Sequence, residues 1–147
     1  MKNDFNNEIE EARKHLINCE RLYYIGMSIL KETKILIKVL EELSLSANKC
    51  VSAYSKLKEK SFSNKSEELK FFIKSHAKNF LSSEEMREFI QIFNFIFKHR
   101  ETPLEFVRKE RLIFYNNGKY EVITKEKVGV YLRILKKIIT SLEKLTF

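Results

Sequence analysis

The chain has 147 residues, with Lys and Arg numbering 28 against 20 Asp and Glu, for a formal net charge of +8. Hydrophobic residues make up 44% of it, enough for a core, which excludes a disordered chain. With 3 Gly and 1 Pro it has too few breakers for a turn-rich sandwich or barrel, so long helices in a single domain over residues 1–147 are expected.

The first element spans about residues 5–30. Phe5, Ile9, Ala12, Leu16, Cys19, Tyr23, Gly26 and Leu30 recur in alternating steps of four and three, which places them on one stripe of one helix. Gly26 weakens this helix but permits close approach of a neighbour. A turn follows near Lys31 to Thr33, with Thr33 as a possible N-cap. Leu36, Leu40, Leu43, Ala47, Cys50, Tyr54 and Leu57 repeat the pattern over about 34–59, so the two helices should form an antiparallel hairpin. Lys58 to Lys65 is polar and reads as a loop.

The third helix is expected in two pieces, about Lys65 to His76 and Ser83 to Lys98. Asn64 with Glu67, and Ser82 with Glu85, mark the two starts. The second piece holds Phe89, Ile90, Ile92, Phe93, Phe95, Ile96 and Phe97 and should be the most buried element. Thr102-Pro103 ends it. Two β-rich runs then flank Asn116-Asn117-Gly118, a strong hairpin signal over about 111–123. Thr124 can cap a last helix over about 124–146, with Val128, Tyr131, Leu135, Ile138, Leu142 and Leu145 as its stripe. The expected fold class is mostly α: a four-helix up-down bundle with a small β-hairpin inserted before the last helix.

The N-terminus, Met1 to Asn7, is polar and lacks the apolar core of a signal peptide, and the longest apolar stretch, Phe89 to Phe97, is too short to span a bilayer. A cytoplasmic protein with no membrane association is expected. The excess charge points to an acidic partner or to a coding bias toward Lys, since net charge speaks only to partners and solubility.

Three Gly cannot make a phosphate-binding loop, and no Ser-His-acid order, paired-Cys motif or His-Glu-x-x-His occurs, so no catalytic residues, metal or cofactor are assigned. His15 and Cys19 lie one helical turn apart and could hold a soft metal with Cys50; the competing reading makes both thiols small buried hydrophobes. Reflection of the helical hairpin about Lys31 to Glu32 sets Cys50 near Arg13, about 9 Å along the axis from Cys19, so no disulfide is expected. The densest polar constellation runs from Lys98 to Arg111. Within it and the hairpin, His99, Arg100, Glu105, Arg108, Lys109, Arg111 and Lys119 are the candidate ligand- or nucleic-acid-binding residues, since Arg forks bind oxyanions bidentately. The alternative is that Glu101, Glu105 and Glu110 neutralise the bases locally and pin the hairpin to the bundle; catalysis by His99 with Glu105 is a third reading. Tyr115 and Tyr120, beside Lys119, either stack on single-stranded bases or pair across strands against a helix.

The segment His99-x-x-Thr102-Pro103-x-Glu105-Phe106-x-Arg108-Lys109, followed by a hairpin and a final helix, resembles a group of uncharacterised archaeal helical-bundle proteins over nearly the whole chain; no function comes with it. More distantly the layout resembles HEPN bundles, which include ribonucleases and partners of nucleotidyltransferases. Their ribonucleases carry an Arg, four to six residues, then a His. Here Arg13 is too close to His15 and Arg87 too far from His99, so the resemblance implies the fold and not the nuclease. The residues thus point to a non-enzymatic module that binds another protein or itself, a homodimer included. The alternative is RNA or phosphate-backbone binding through residues 98–120, with a nuclease last.

Overall fold

The structure is a computed structural model. It describes residues 2–29, 35–101, 104–108, 111–116 and 119–146, with side chains described at 3–26, 35–97, 111–114 and 119–145. The expected turn at Lys31 to Thr33 lies outside the described residues.

Helix α1 (Lys2–Tyr23) runs into one π-helical turn, Tyr24–Ile29, and returns as α2 (Ile35–Leu57). The two stripes read from the sequence meet: Phe5, Ile9, Ala12, Leu16 and Cys19 are buried against Leu36, Leu40, Leu43, Ala47 and Cys50. Ser46 Oγ donates to the Ala12 carbonyl at 2.8 Å, His15 Nδ1 meets Glu42 at 2.5 Å and Cys19 Sγ reaches the Val39 carbonyl at 3.5 Å. These pairs mirror the hairpin about residue 29, inside the π-helical turn, and set Cys50 level with Glu8 rather than Arg13. Cys19 and Cys50 are then about 16 Å apart along the axis, and both are free thiols. Gly26 is where the return comes closest: a Cβ there would sit 2.7 Å from Ile35 Cδ1 and 3.0 Å from its Cβ, closer still to Cγ2.

A link closes α2. Glu59 adopts a left-handed φ of 54°, and the Lys60 N–H reaches back to the Ser55 carbonyl at 3.0 Å. Helix α3 (Lys65–Ser75) starts as its sequence dictates, with Asn64 Oδ1 accepting from the Glu67 N–H at 2.9 Å. A short 3-10 turn, Ala77–Asn79, leads to α4 (Ser83–Glu101), whose capping box is complete: Ser82 Oγ accepts from the Glu85 N–H at 3.1 Å, and Glu85 accepts from the Ser82 N–H at 3.0 Å. Strands β1 (Leu104–Arg108), β2 (Arg111–Asn116) and β3 (Lys119–Thr124) form an antiparallel sheet in the order β1-β2-β3. Thr124 Oγ1 then caps α5 (Lys125–Glu143) by accepting from the Lys127 N–H, and a 3-10 turn, Lys144–Thr146, follows.

The molecule is thus a mostly helical bundle with its small antiparallel β-element before the last helix. Two features differ from the sequence reading. The hairpin gains a third strand, β1, from the segment read as a basic loop, because the Leu-Glu-Phe-Val-Arg run finds β2 beside it. The most buried helix is α2, not α4. Helix α2 packs on α1, α3, α4 and α5 and buries twelve of its 23 residues, whereas Phe97 of α4 is 40% exposed. Position in the bundle decides burial here, since α4 is as rich in Phe and Ile as any segment.

Where α2 and α4 cross, polar groups supplement the apolar contact. Ser44 Oγ donates to the Phe93 carbonyl at 3.2 Å and accepts from the Ile96 N–H at 3.1 Å. Asn48 Nδ2 donates to the same Phe93 carbonyl at 3.1 Å. The sheet is docked by Leu112 and Phe114, both buried, with the Phe114 ring edge-on to Phe95 at 5.9 Å.

Candidate functional site

The candidate residues cluster around the sheet, and the strand register sorts them. His99 and Arg100 stand in the last turns of α4, Glu105 and Arg108 in β1, Arg111 at the start of β2 and Lys119 at the start of β3. Of these, the side chains of His99, Arg100, Glu105 and Arg108 lie outside the described residues, as does Lys109 entirely. Arg108 is directly opposite Arg111 in the β1–β2 register, so the backbone does bring those two positions together. Lys119 is not with them. It pairs with Asn116 while Arg111 pairs with Thr124. Arg111 and Lys119 therefore occupy opposite ends of the ribbon, about 17 Å apart, and opposite faces. The Asn116–Lys119 pairing fixes this arrangement, so alternation counted outward from that pair was the signal that sequence reasoning left unused.

One face of the sheet carries Leu112, Phe114 and Ile123 toward the bundle. The other carries Arg111, Ile113, Tyr120, Val122 and Thr124, with Tyr120 61% and Val122 49% exposed. Phe106 stands opposite Ile113 in the register, and Tyr115 opposite Tyr120. The Tyr115–Tyr120 cross-strand pairing is present in the backbone, with Tyr120 on the outward face, while the inward positions are taken by Leu112 and Phe114. Toward its tip the ribbon projects past the bundle, and Lys119, Tyr120, Glu121 and Val122 are all exposed although they alternate between faces.

The other polar clusters serve the fold. His76 is buried, stacked on Tyr54 at 5.1 Å, with Nε2 at 2.9 Å from Ser141 Oγ. That hydroxyl gives its proton to the Ile138 carbonyl at 2.6 Å, so His76 must donate to it. A His that donates cannot act as the base that activates the serine. Desolvation, helped by the Lys58 charge, lowers the His76 pKa. Burial pushes both thiols up; Glu42 and Glu20 add to the effect at Cys19, while at Cys50 the Arg13 charge opposes it and Glu143 adds to it. Buried thiols of this kind are inert toward electrophiles. His15 is engaged by Glu42, and Cys19 by the Val39 carbonyl, so the His15–Cys19–Cys50 ligand set is not assembled. No cluster of metal-ligating side chains occurs among the described residues.

A groove of about 360 Å³ lies between α4 and α5, lined by Glu84, Glu85 and Glu88 on one wall and by Lys127, Arg133 and Lys137 on the other, over Val130 and Ile134. Lys127 pairs with Glu88 at 2.7 Å and Lys137 with Glu85 at 2.6 Å. These charges clamp α4 to α5. Sequence reasoning missed the groove because its two walls lie 40 or so positions apart in the chain, though the acidic first turn of α4 was visible.

No helix among the described residues is long and apolar enough to cross a membrane. The chain matches no protein-family model, and neither a curated protein nor a solved structure matches it significantly.

Proposed function

We propose that this chain is a non-enzymatic interaction module that engages another protein, or a second copy of itself, through the outward face and tip of its three-stranded sheet. The observation that carries this reading is the neighbouring exposure of Tyr120 and Val122 on one face, while Leu112, Phe114 and Ile123 on the other dock the sheet against the bundle. A sheet that served only to close the core would have polar residues outward. Catalysis has less support: His76 is fixed as a donor, both thiols are buried, and no Arg stands four to six residues ahead of any His.

A photo-crosslinking residue placed at Val122 tests the reading, with Lys60 in the α2–α3 link as an exposed control. Protein adducts at position 122 and none at position 60 are expected. Adducts that disappear on ribonuclease treatment would instead favour RNA. That second reading has one specific support, the opposition of Arg108 and Arg111 at the β1–β2 end of the sheet. Binding there would act through phosphates and weaken steeply with salt. No adduct of either kind at position 122 defeats the interaction module.

A further inference from the structure

The groove between α4 and α5 does more than hold two helices together. Its charges divide into those that are engaged and those that are not. Lys127 is taken up by Glu88 at 2.7 Å and Lys137 by Glu85 at 2.6 Å. That leaves Glu84 on the α4 wall and Arg133 on the α5 wall. Both line the groove and both are exposed, and among the described residues neither is paired with another side chain.

Glu88 strengthens the acidic wall. Its Oε1 receives Lys127, while its Oε2 is buried without a hydrogen-bond partner. An enclosed oxygen makes no contact with a guest in the groove. A carboxylate whose second oxygen lacks a donor nevertheless keeps that side of the groove negative. Glu84 and Glu88 stand one helical turn apart, so the uncompensated acid charge gathers on one stretch of α4. Across the groove, Arg133 stands on α5 between the two engaged lysines. Its planar guanidinium can hold a carboxylate through two parallel hydrogen bonds. Between the walls the floor is aliphatic: Ile134 is buried and Val130 half-buried. The volume of about 360 Å³ falls at the lower end of small-molecule sites, which span roughly 300–1,000 Å³.

We propose that this groove binds a small zwitterion of dipeptide size, with its ammonium group against Glu84, its carboxylate on Arg133 and an aliphatic side chain over Val130 and Ile134. A simple anion would satisfy Arg133 but face Glu84 and Glu88. A simple cation would satisfy Glu84 but face Arg133. A ligand with both charges meets both walls. The groove lies between helices and the proposal is independent of the sheet as an interaction surface.

Titration calorimetry with the dipeptide alanyl-leucine tests it, beside the N-acetylated and C-amidated forms of the same dipeptide. The free dipeptide is expected to bind with a Kd of about 1 mM or below. Each blocked form lacks one charge and should bind about fivefold more weakly. Arg133→Gln should weaken the free dipeptide by the same factor and leave the C-amide unaffected. Glu84→Gln should weaken the free dipeptide likewise and leave the N-acetyl form unaffected. Neither side chain has a partner within the protein, so both variants should keep the wild-type thermal midpoint. Amide-resolved NMR should place the largest shifts around Val130 and Ile134. No binding of the free dipeptide up to about 10 mM overturns the proposal, as does binding that ignores both substitutions. Blocked forms that bind as tightly as the free dipeptide overturn it too, and leave an apolar contact alone. A response to Arg133→Gln with the N-acetyl form bound as tightly as the free one would make the groove an anion site and overturn the zwitterion.

Discussion

Helix α2 and strand β3 handle the same constraint in opposite ways. Each has a neighbour on more than one side available to it. Helix α2 uses all of them: it contacts four other helices and has twelve buried residues, including Ser44, Ser46 and Ser55, whose hydroxyls all find backbone carbonyls. Strand β3 uses one. It pairs with β2 and leaves Lys119–Val122 exposed on both faces. The difference teaches where stability and where function should be sought. Substitutions around α2 should change folding alone, and substitutions on β3 should change association alone.

Phe93→Ala is the strongest way to break that comparison. Phe93 is fully buried between Phe89 and Phe97, at the position whose carbonyl is held by Ser44 and Asn48 of α2, and its loss should cost about 3–5 kcal/mol. A thermal midpoint within a few degrees of wild type would show that the α2 neighbourhood is not the stabilising centre. Next in size is Gly26→Ala, which drives a methyl into Ile35 and should cost about 1–3 kcal/mol by urea titration. The Gly26→Ala/Ile35→Ala double variant should be less sensitive to the added methyl, because Cγ2 and Cδ1 are gone; equal penalties in both backgrounds would mean the clash is relieved by the backbone.

An intermediate effect is expected on acidification. His76 has a folded pKa below its unfolded value, so its contribution is complete above about pH 6.5, the ordinary His value, and is lost as pH falls toward the folded pKa. Stability measured against pH should decline over that window, and His76→Gln should remove this part of the decline. Ser82→Ala should cost about 1 kcal/mol by breaking the α4 capping box, and Ser82→Thr should recover most of it. The smallest effect belongs to β3. Val122→Thr keeps a β-branched side chain and should change stability by less than about 0.5 kcal/mol in dilute protein. A loss several times larger would mean that Val122 is covered and that association and folding are linked.

Much of this architecture was legible because its signals are local. The α1 and α2 stripes, the Asn64, Ser82 and Thr124 caps and the pairing of the two strands that flank Asn117-Gly118 each depend on residues close together in the chain, and all appear where their chemistry requires. Strand β1 was not legible, because Glu105 and Arg108 make Leu104–Arg108 look like a charged connection, and only its neighbour β2 gives it a reason to be extended. The rank of α2 over α4 was hidden for a similar reason: composition records how apolar a helix is, not how many neighbours it has. At the candidate site, residue types pointed to the right part of the chain, but the grouping of Arg111 with Lys119 ignored the strand alternation that separates them.

The Ser44 hydroxyl has a consequence beyond hydrogen-bond satisfaction. It holds a carbonyl of α4 and an amide of α4 at once, at Phe93 and Ile96. Apolar surfaces tolerate sliding, since one methyl contact replaces another, but a donor and an acceptor at fixed spacing match only one axial position. Ser44 thus acts as an indexing pin for α4 along α2. Because β1 begins three residues after the end of α4, fixing α4 along α2 also bears on where the sheet sits against the bundle.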